Sequence, residues 1–213
     1  MKFDLDEIRD CCLFEGTADD TEATDFIAKM IQADSASELI EMSKSALKKA
    51  MKEDVWKDVA WLFLRNENTP ESVLSDLVQI AADIQAQIIS GDDFEYVRLI
   101  AHPNNSPSSL SAATKEIVRQ LPFQSLPLTA LFASTKLNSE SLDMLCKECS
   151  VEKVIDAFLV LSHPNSTEFS KDAASWFEGT VADIDSEELV EHDFLLRYSF
   201  DIPVELKKRF KNI

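Results

Sequence analysis

A chain of 213 residues is long enough to bury a sizeable core, as one domain or two small ones. Three glycines argue against a turn-rich β sandwich or barrel, no apolar run nears the roughly 18 residues of a membrane span, and the start Met1-Lys2-Phe3-Asp4-Leu5 has no signal-peptide shape, so the expected place is the cytoplasm. A formal net charge of -18 at pH 7 opposes a phosphate backbone, which is held by Lys and Arg, and points to solubility or to a basic partner.

Leu5, Ile8, Cys12 and Leu13 are spaced as one face of a first amphipathic helix, and Phe26, Ile27, Met30 and Ile31 as a second. Ser35-Ala36-Ser37-Glu38 fits a capping box opening a third, with Leu39, Ala46, Leu47 and Ala50 as its core face. Trp56, Val59, Ala60, Leu62 and Phe63 carry a fourth into the turn Arg65-Asn66-Glu67-Asn68-Thr69-Pro70.

That turn recurs. Anchored on Asn68, its equivalents are Asn105, Asn138, Ser166 and Asp201, each six residues after an apolar Leu62, Leu99, Phe132, Val160 or Leu195. The next column (Thr69, Ser106, Ser139, Thr167, Ile202) is predicted to cap a helix, because Ser or Thr accepts an orphan amide there. The column after it (Pro70, Pro107, Glu140, Glu168, Pro203) suits the first helical turn. Second helices are expected from Val73, from Leu110, around Leu145, and from Ala173 to Phe177 with Gly179 just beyond the last. Leu121–Pro127 reads as a loop, and Ser186 to Phe200 as one helix.

Helix, turn and helix repeated at this spacing predict an all-α fold of stacked units, with residues 1–57 as an N-terminal helical cap and 58–213 as the array. The segments Arg65 to Leu74 and His102 to Leu110, with weaker echoes at His163-Pro164-Asn165-Ser166-Thr167 and Lys136-Leu137-Asn138-Ser139, resemble the leucine-rich repeat variant family. The resemblance spans about residues 58 to 206 and implies a right-handed α-solenoid related in style to HEAT and armadillo arrays. Units of that family are shorter, on the order of two dozen residues, which keeps an ordinary HEAT-like array of helix pairs open. The iron–sulfur module such proteins can carry is not transferred, because only Cys11 and Cys12 stand near the N-terminus.

Candidate chemistry is sparse. Three residues before the anchors stand Arg65, His102, Thr135, His163 and Tyr198, a polar ladder that serves either as a partner-binding surface or to cap the carbonyls ending the preceding helices. Cys146 and Cys149 share a helical face and lack the further ligands a zinc site needs. Glu188 and His192, four apart, are a lone pair in an acidic stretch. No phosphate loop, nucleophile elbow or zinc-protease motif occurs. The expectation is a non-catalytic interaction module for a protein or peptide partner, without cofactor or metal. The competing expectation is an enzyme or nucleic-acid-processing protein on a HEAT-like scaffold.

Overall fold

The computed structural model describes residues 20–53, 55–83, 93–120 and 126–212. The expected first helix, Cys11, Cys12 and the loop residues 121–125 lie outside them. Among the described residues the chain is all-helical and contains no strand.

Its α-helices are α1 (Thr21–Gln32), α2 (Ala36–Ala50), α3 (Val55–Leu62), α4 (Glu71–Asp83), α5 (Asp93–Ala101), α6 (Pro107–Gln120), α7 (Leu126–Ala133), α8 (Ser139–Glu148), α9 (Val154–Ser162), α10 (Glu168–Ala174), α11 (Ser186–Glu191), α12 (Phe194–Arg197) and α13 (Val204–Phe210). Short 3-10 turns stand at Phe63–Arg65 and Val181–Asp183.

The helices group into two compact units. The first comprises residues 1–95 and 102–104, and the second 96–101 and 105–213. The division falls within α5. Within the first unit α1 packs on α3, α2 on α3, and α2 on α4. Trp56 is buried in α3, with Phe26 edge-on at 5.2 Å and the Lys49 ammonium 3.9 Å from its ring centre. Within the second unit α7 packs on α9, α6 on α8, and α8 on α10. In both, helices pack on their second neighbours as well as on adjacent ones, α2 on α3 and α9 on α10 most extensively. Burial explains why: from Trp56 to Leu64 and from Pro127 to Ser134 every residue is buried, so these helices need neighbours on all sides.

Local signals act largely as expected at helix starts. Asp20 accepts from the amide of Ala23, and Ser35 from that of Glu38. Thr167 caps α10, and Ser106 accepts from the amide of Ser109. Three caps are displaced by one residue: Asn138 rather than Ser139 caps α8, the Pro70 carbonyl takes the first amides of α4, from Val73 and Leu74, and Pro203 rather than Ile202 stands before α13.

Three boundaries differ from expectation. The helix α7 starts at Leu126 and takes Pro127 into its first turn, where a missing amide costs nothing. The helix α10 stops at Ala174, and Gly179 instead gives room to the Phe177 ring, which a Cβ at 179 would meet at 2.7 Å. The stretch from Ser186 to Phe200 is broken at His192-Asp193 into two short helices.

The second of these, α12, ends in a Schellman motif. The amide of Phe200 donates to Leu195 O and that of Ser199 to Leu196 O, and Ser199 has φ 56°. A side chain is strained in that left-handed conformation, and Ser199 is exposed. Ser199→Gly is expected to raise stability by about 0.5–1 kcal/mol, read as a higher urea midpoint with unchanged slope.

Candidate functional site

The polar ladder resolves into a repeated turn with a definite hydrogen-bond plan. In the first copy the amide of Asn66 donates to Phe63 O, that of Thr69 to Asn66 O, and the Thr69 hydroxyl to Phe63 O at 2.7 Å. Another copy repeats this with His163, Val160 and Ser166, the Ser166 hydroxyl bonding Val160 O. Asn105 serves Leu99 O through its side-chain amide. In the copy at Leu131–Leu137, Leu137 stands in the anchor place, its amide bonded to Ser134 O. Thr69, Asn105, Leu137 and Ser166 are thus equivalent, and each following helix begins two residues later.

This register corrects the alignment by one residue in two copies. The true column is Asn66, His102, Ser134 and His163. Arg65 stands one residue before it and Thr135 one after. Tyr198 belongs to the Schellman turn and has no place in the column. The first half of the turn already occurs at Met30–Ala33, where Ala33 N donates to Met30 O, so the motif begins before residue 58.

Each turn is bonded to the one before it. Asn66 Nδ2 donates to Ala33 O at 3.1 Å, and His102 Nε2 lies 3.2 Å from Asn66 O. His163 Nε2 lies 3.0 Å from Ser134 O. A second column does the same: Asn104 Nδ2 donates to Thr69 O at 2.9 Å, Lys136 Nζ to Asn105 O at 3.1 Å, and Asn165 Nδ2 to Leu137 O at 2.8 Å. The rings are oriented by a further bond, because the amides of Asn104 and Asn165 donate to Nδ1 of His102 and His163. Asn66 Oδ1 takes the amide of Asn68 in the same way. With Nδ1 accepting, Nε2 carries the proton and the imidazole is neutral. Burial lowers the His163 pKa further, and the Ser134 carbonyl opposes that only in part.

The sequence-derived site residues therefore do not form one exposed surface. His102 and His163 are buried with both ring nitrogens engaged, in a variant of the expected capping role in which the carbonyl belongs to the previous turn. Arg65 is largely buried and pairs with buried Glu95 at 3.2 Å. Thr135 is exposed. Tyr198 is half-buried under the Arg98 guanidinium, 5.8 Å from its ring centre.

A second polar cluster surrounds the start of α9, and the sequence identified only its outer members. Glu188 Oε1 accepts the amide of Ile155 at 2.9 Å, supplying the cap that Lys153 does not. His192 is fully buried, with Nδ1 2.6 Å from Glu188 O and Nε2 3.4 Å from the Lys153 ammonium. An ammonium only donates, so Nε2 accepts and this imidazole too is neutral. Burial lowers its pKa, the Glu188 carbonyl works against that, Lys153 adds to it and Glu191 opposes it. Asp156, on the first turn of α9, is buried, and burial pushes its carboxyl up to about 7. The Thr129 hydroxyl and the Lys153 charge favour the ionised form and oppose this, while Glu188 and Glu191 add to it. Asp156 and His192 are both shielded from solvent by the fold. Among the described residues no three His, Cys, Asp or Glu side chains converge as metal ligands. Burial, with Asp143 and Cys149 nearby, pushes the Cys146 thiol up to about 12 and, with Glu148 nearby, raises that of Cys149, so both are protonated at neutral pH.

An open groove of about 420 Å³ runs across α6, α8 and α10 in the second unit. Lys115, Glu140, Asp143, Met144, Lys147 and Glu148 line it, and Phe169, half-exposed, stands at its edge. The pairwise packing of these three helices creates it, and no periodic signal marks it in the sequence, because its residues are the ones left over on the outer faces. No family model, curated protein or solved structure matches the chain. Among the described residues no helix is long and apolar enough to cross a membrane.

Two outcomes follow from the buried groups. His163→Asn retains an acceptor and a donor where Asn66 already uses them, so it should change stability by less than about 1 kcal/mol near pH 7.5, whereas His163→Ala should cost about 1–3 kcal/mol. The folded-state pKa of His163 lies below 6.5, so its contribution is complete above that pH and declines as the pH falls below it. Urea titrations of wild type minus H163N, from pH 7.5 down to 5, check this sign.

Asp156 slopes the other way. Its folded pKa of about 7 exceeds the ordinary 3.8, so its contribution is present at low pH and is lost as the pH rises through 7. Asp156→Asn should therefore be more favourable at pH 8 than at pH 5 by about 2 kcal/mol or more, measured by denaturant unfolding at both.

Proposed function

We propose that this chain is a non-catalytic helical-repeat scaffold, a solenoid of HEAT-like helix pairs, that holds a protein or peptide partner. The bonded turns support the repeat reading, since the links Ala33–Asn66, Asn66–His102 and Ser134–His163 join residues 33, 36 and 29 apart. Those intervals suit a pair of helices per unit better than the shorter unit of the leucine-rich repeat variant family.

The observation that carries the binding role is the groove across α6, α8 and α10 with Phe169 at its edge. A large aromatic left half in water beside Met144, with charged groups around both, has the makeup of a recognition patch: an apolar centre and a polar rim. Asp156, His163 and His192, all displaced from their usual range, lie inside the fold. The partner surface thus moves from the ladder of the sequence analysis to the outer faces of the second helices.

Phe169→Glu tests the reading. The residue is exposed, so the variant should melt with wild type, within about 0.5 kcal/mol. In parallel affinity purifications the Phe169→Glu variant should lose the specific partners that wild type retains. Identical partner sets for both forms would remove the groove as the binding site.

A further inference from the structure

The groove, with a second exposed ring just past the end of α10, also indicates the chemistry of its partner, an inference that rests on the binding role just proposed. Phe169 and Trp176 are both half-exposed, one near the start of α10 and one just past its end, with exposed Lys171 and Asp172 between them. Trp176 is fixed rather than loose. Its Nε1 donates to Val151 O at 2.8 Å and its ring meets Phe177 edge-on at 6.1 Å, while Gly179 lets the Phe177 ring settle against the backbone. An aromatic held in place before binding loses little entropy when a partner arrives.

The groove lining carries a small excess of negative charge, three carboxylates against Lys115 and Lys147. Glu140, Asp143 and Glu148 line the groove, and the Thr167 hydroxyl holds Asp143 at 2.6 Å. Of the two lysines there, Lys147 is occupied by Glu148 at 3.3 Å. The whole chain carries -18. Such a field repels phosphate backbones and anionic lipid surfaces, and draws Lys or Arg. A cation beside Trp and Phe faces gains a further cation–π attraction.

We propose that the face of α8 and α10 binds a segment of another protein that carries Lys or Arg next to a bulky apolar residue. The apolar side chain lies against Phe169 and Met144, and the cation is shared between the carboxylates and the aromatic faces.

The test is selection of a random peptide library, each member about a dozen residues long, displayed on phage. It is run against the immobilised full chain at physiological salt. Clones that a Phe169→Ala/Trp176→Ala double variant also retains are discarded, which removes binding due to net charge alone. The remaining peptides should be cationic, with Lys or Arg within a few residues of an aromatic or aliphatic anchor. By fluorescence anisotropy Phe169→Ala should weaken them about tenfold. Glu140→Gln/Asp143→Asn should weaken them several-fold and flatten the salt dependence. Trp176→Phe, which keeps the ring and loses the Nε1 donor, separates loss of the face from loss of folding when read with the thermal melt. Groove-dependent peptides that are neutral or acidic overturn the charge assignment and leave the groove as a binding site. An absence of groove-dependent peptides overturns both.

Discussion

The carbonyl oxygens that end one helix and begin the next turn are buried once helices stack, and each then needs a donor other than water. Here the donor comes from the following turn. Asn66 serves Ala33, His102 serves Asn66, and His163 serves Ser134. Carboxamide and imidazole are interchangeable in this task, since each holds an acceptor toward its own chain and a donor toward the previous turn. Lys136 reaches the same carbonyl position that Asn104 and Asn165 satisfy elsewhere, so the carbonyl and its place are constant while the donor varies. Each link contributes only about 1 kcal/mol net. Leaving one unmade strands a buried acceptor, and that asymmetry fixes the register.

The same constraint explains what could be read from residues alone. Helix starts were legible at Ser35, Ser106 and Thr167 because a cap is local chemistry. The repeat was legible, but its register slipped by one at Asn68 and Asn138. Matching Asn-Thr-Pro to Asn-Ser-Pro aligned letters, whereas the turn aligns Thr69 with Asn105, whose different side chains both donate to the carbonyl six residues earlier. Leu137 in that position offers no side-chain donor, so nothing polar marked it. The split of Ser186–Phe200 was hidden for a different reason. Glu188 and His192 are committed to Ile155 and Lys153 at the start of α9, 33 and 39 residues earlier in the chain, and no local pattern records such a commitment.

The consequence for function is a transfer of roles. Polar residues that crowd a turn in the sequence look like chemistry, yet the fold uses them for construction: His102 and His163 are closed to solvent, and Arg65 is held by Glu95. What remains for a partner are side chains that no periodicity singles out, on the outer faces of α6, α8 and α10. On the reading proposed above, recognition there uses Phe169 and the anchored Trp176, so the turns can vary as long as each carbonyl is met.

Buried ionisable groups in the second unit pull stability in opposite directions with pH, and the two effects meet in one place. Folding keeps His192 and His163 neutral where the unfolded chain takes up a proton below about 6.5, because burial lowers both pKa values. Folding also keeps a proton on Asp156 where the unfolded chain has released it, because burial raises that pKa to about 7. Through mildly acidic pH the native state therefore holds one proton more at Asp156 and one fewer at His192. Both groups feel the charges of Lys153 and Glu191, so they belong to one electrostatic neighbourhood. Their slopes have opposite signs, so each offsets part of the other's response to acid at the start of α9. At this junction a neutral imidazole and a protonated carboxyl are thus buried beside the charged Lys153 and Glu188, and folding favours the uncharged form of both through mildly acidic pH.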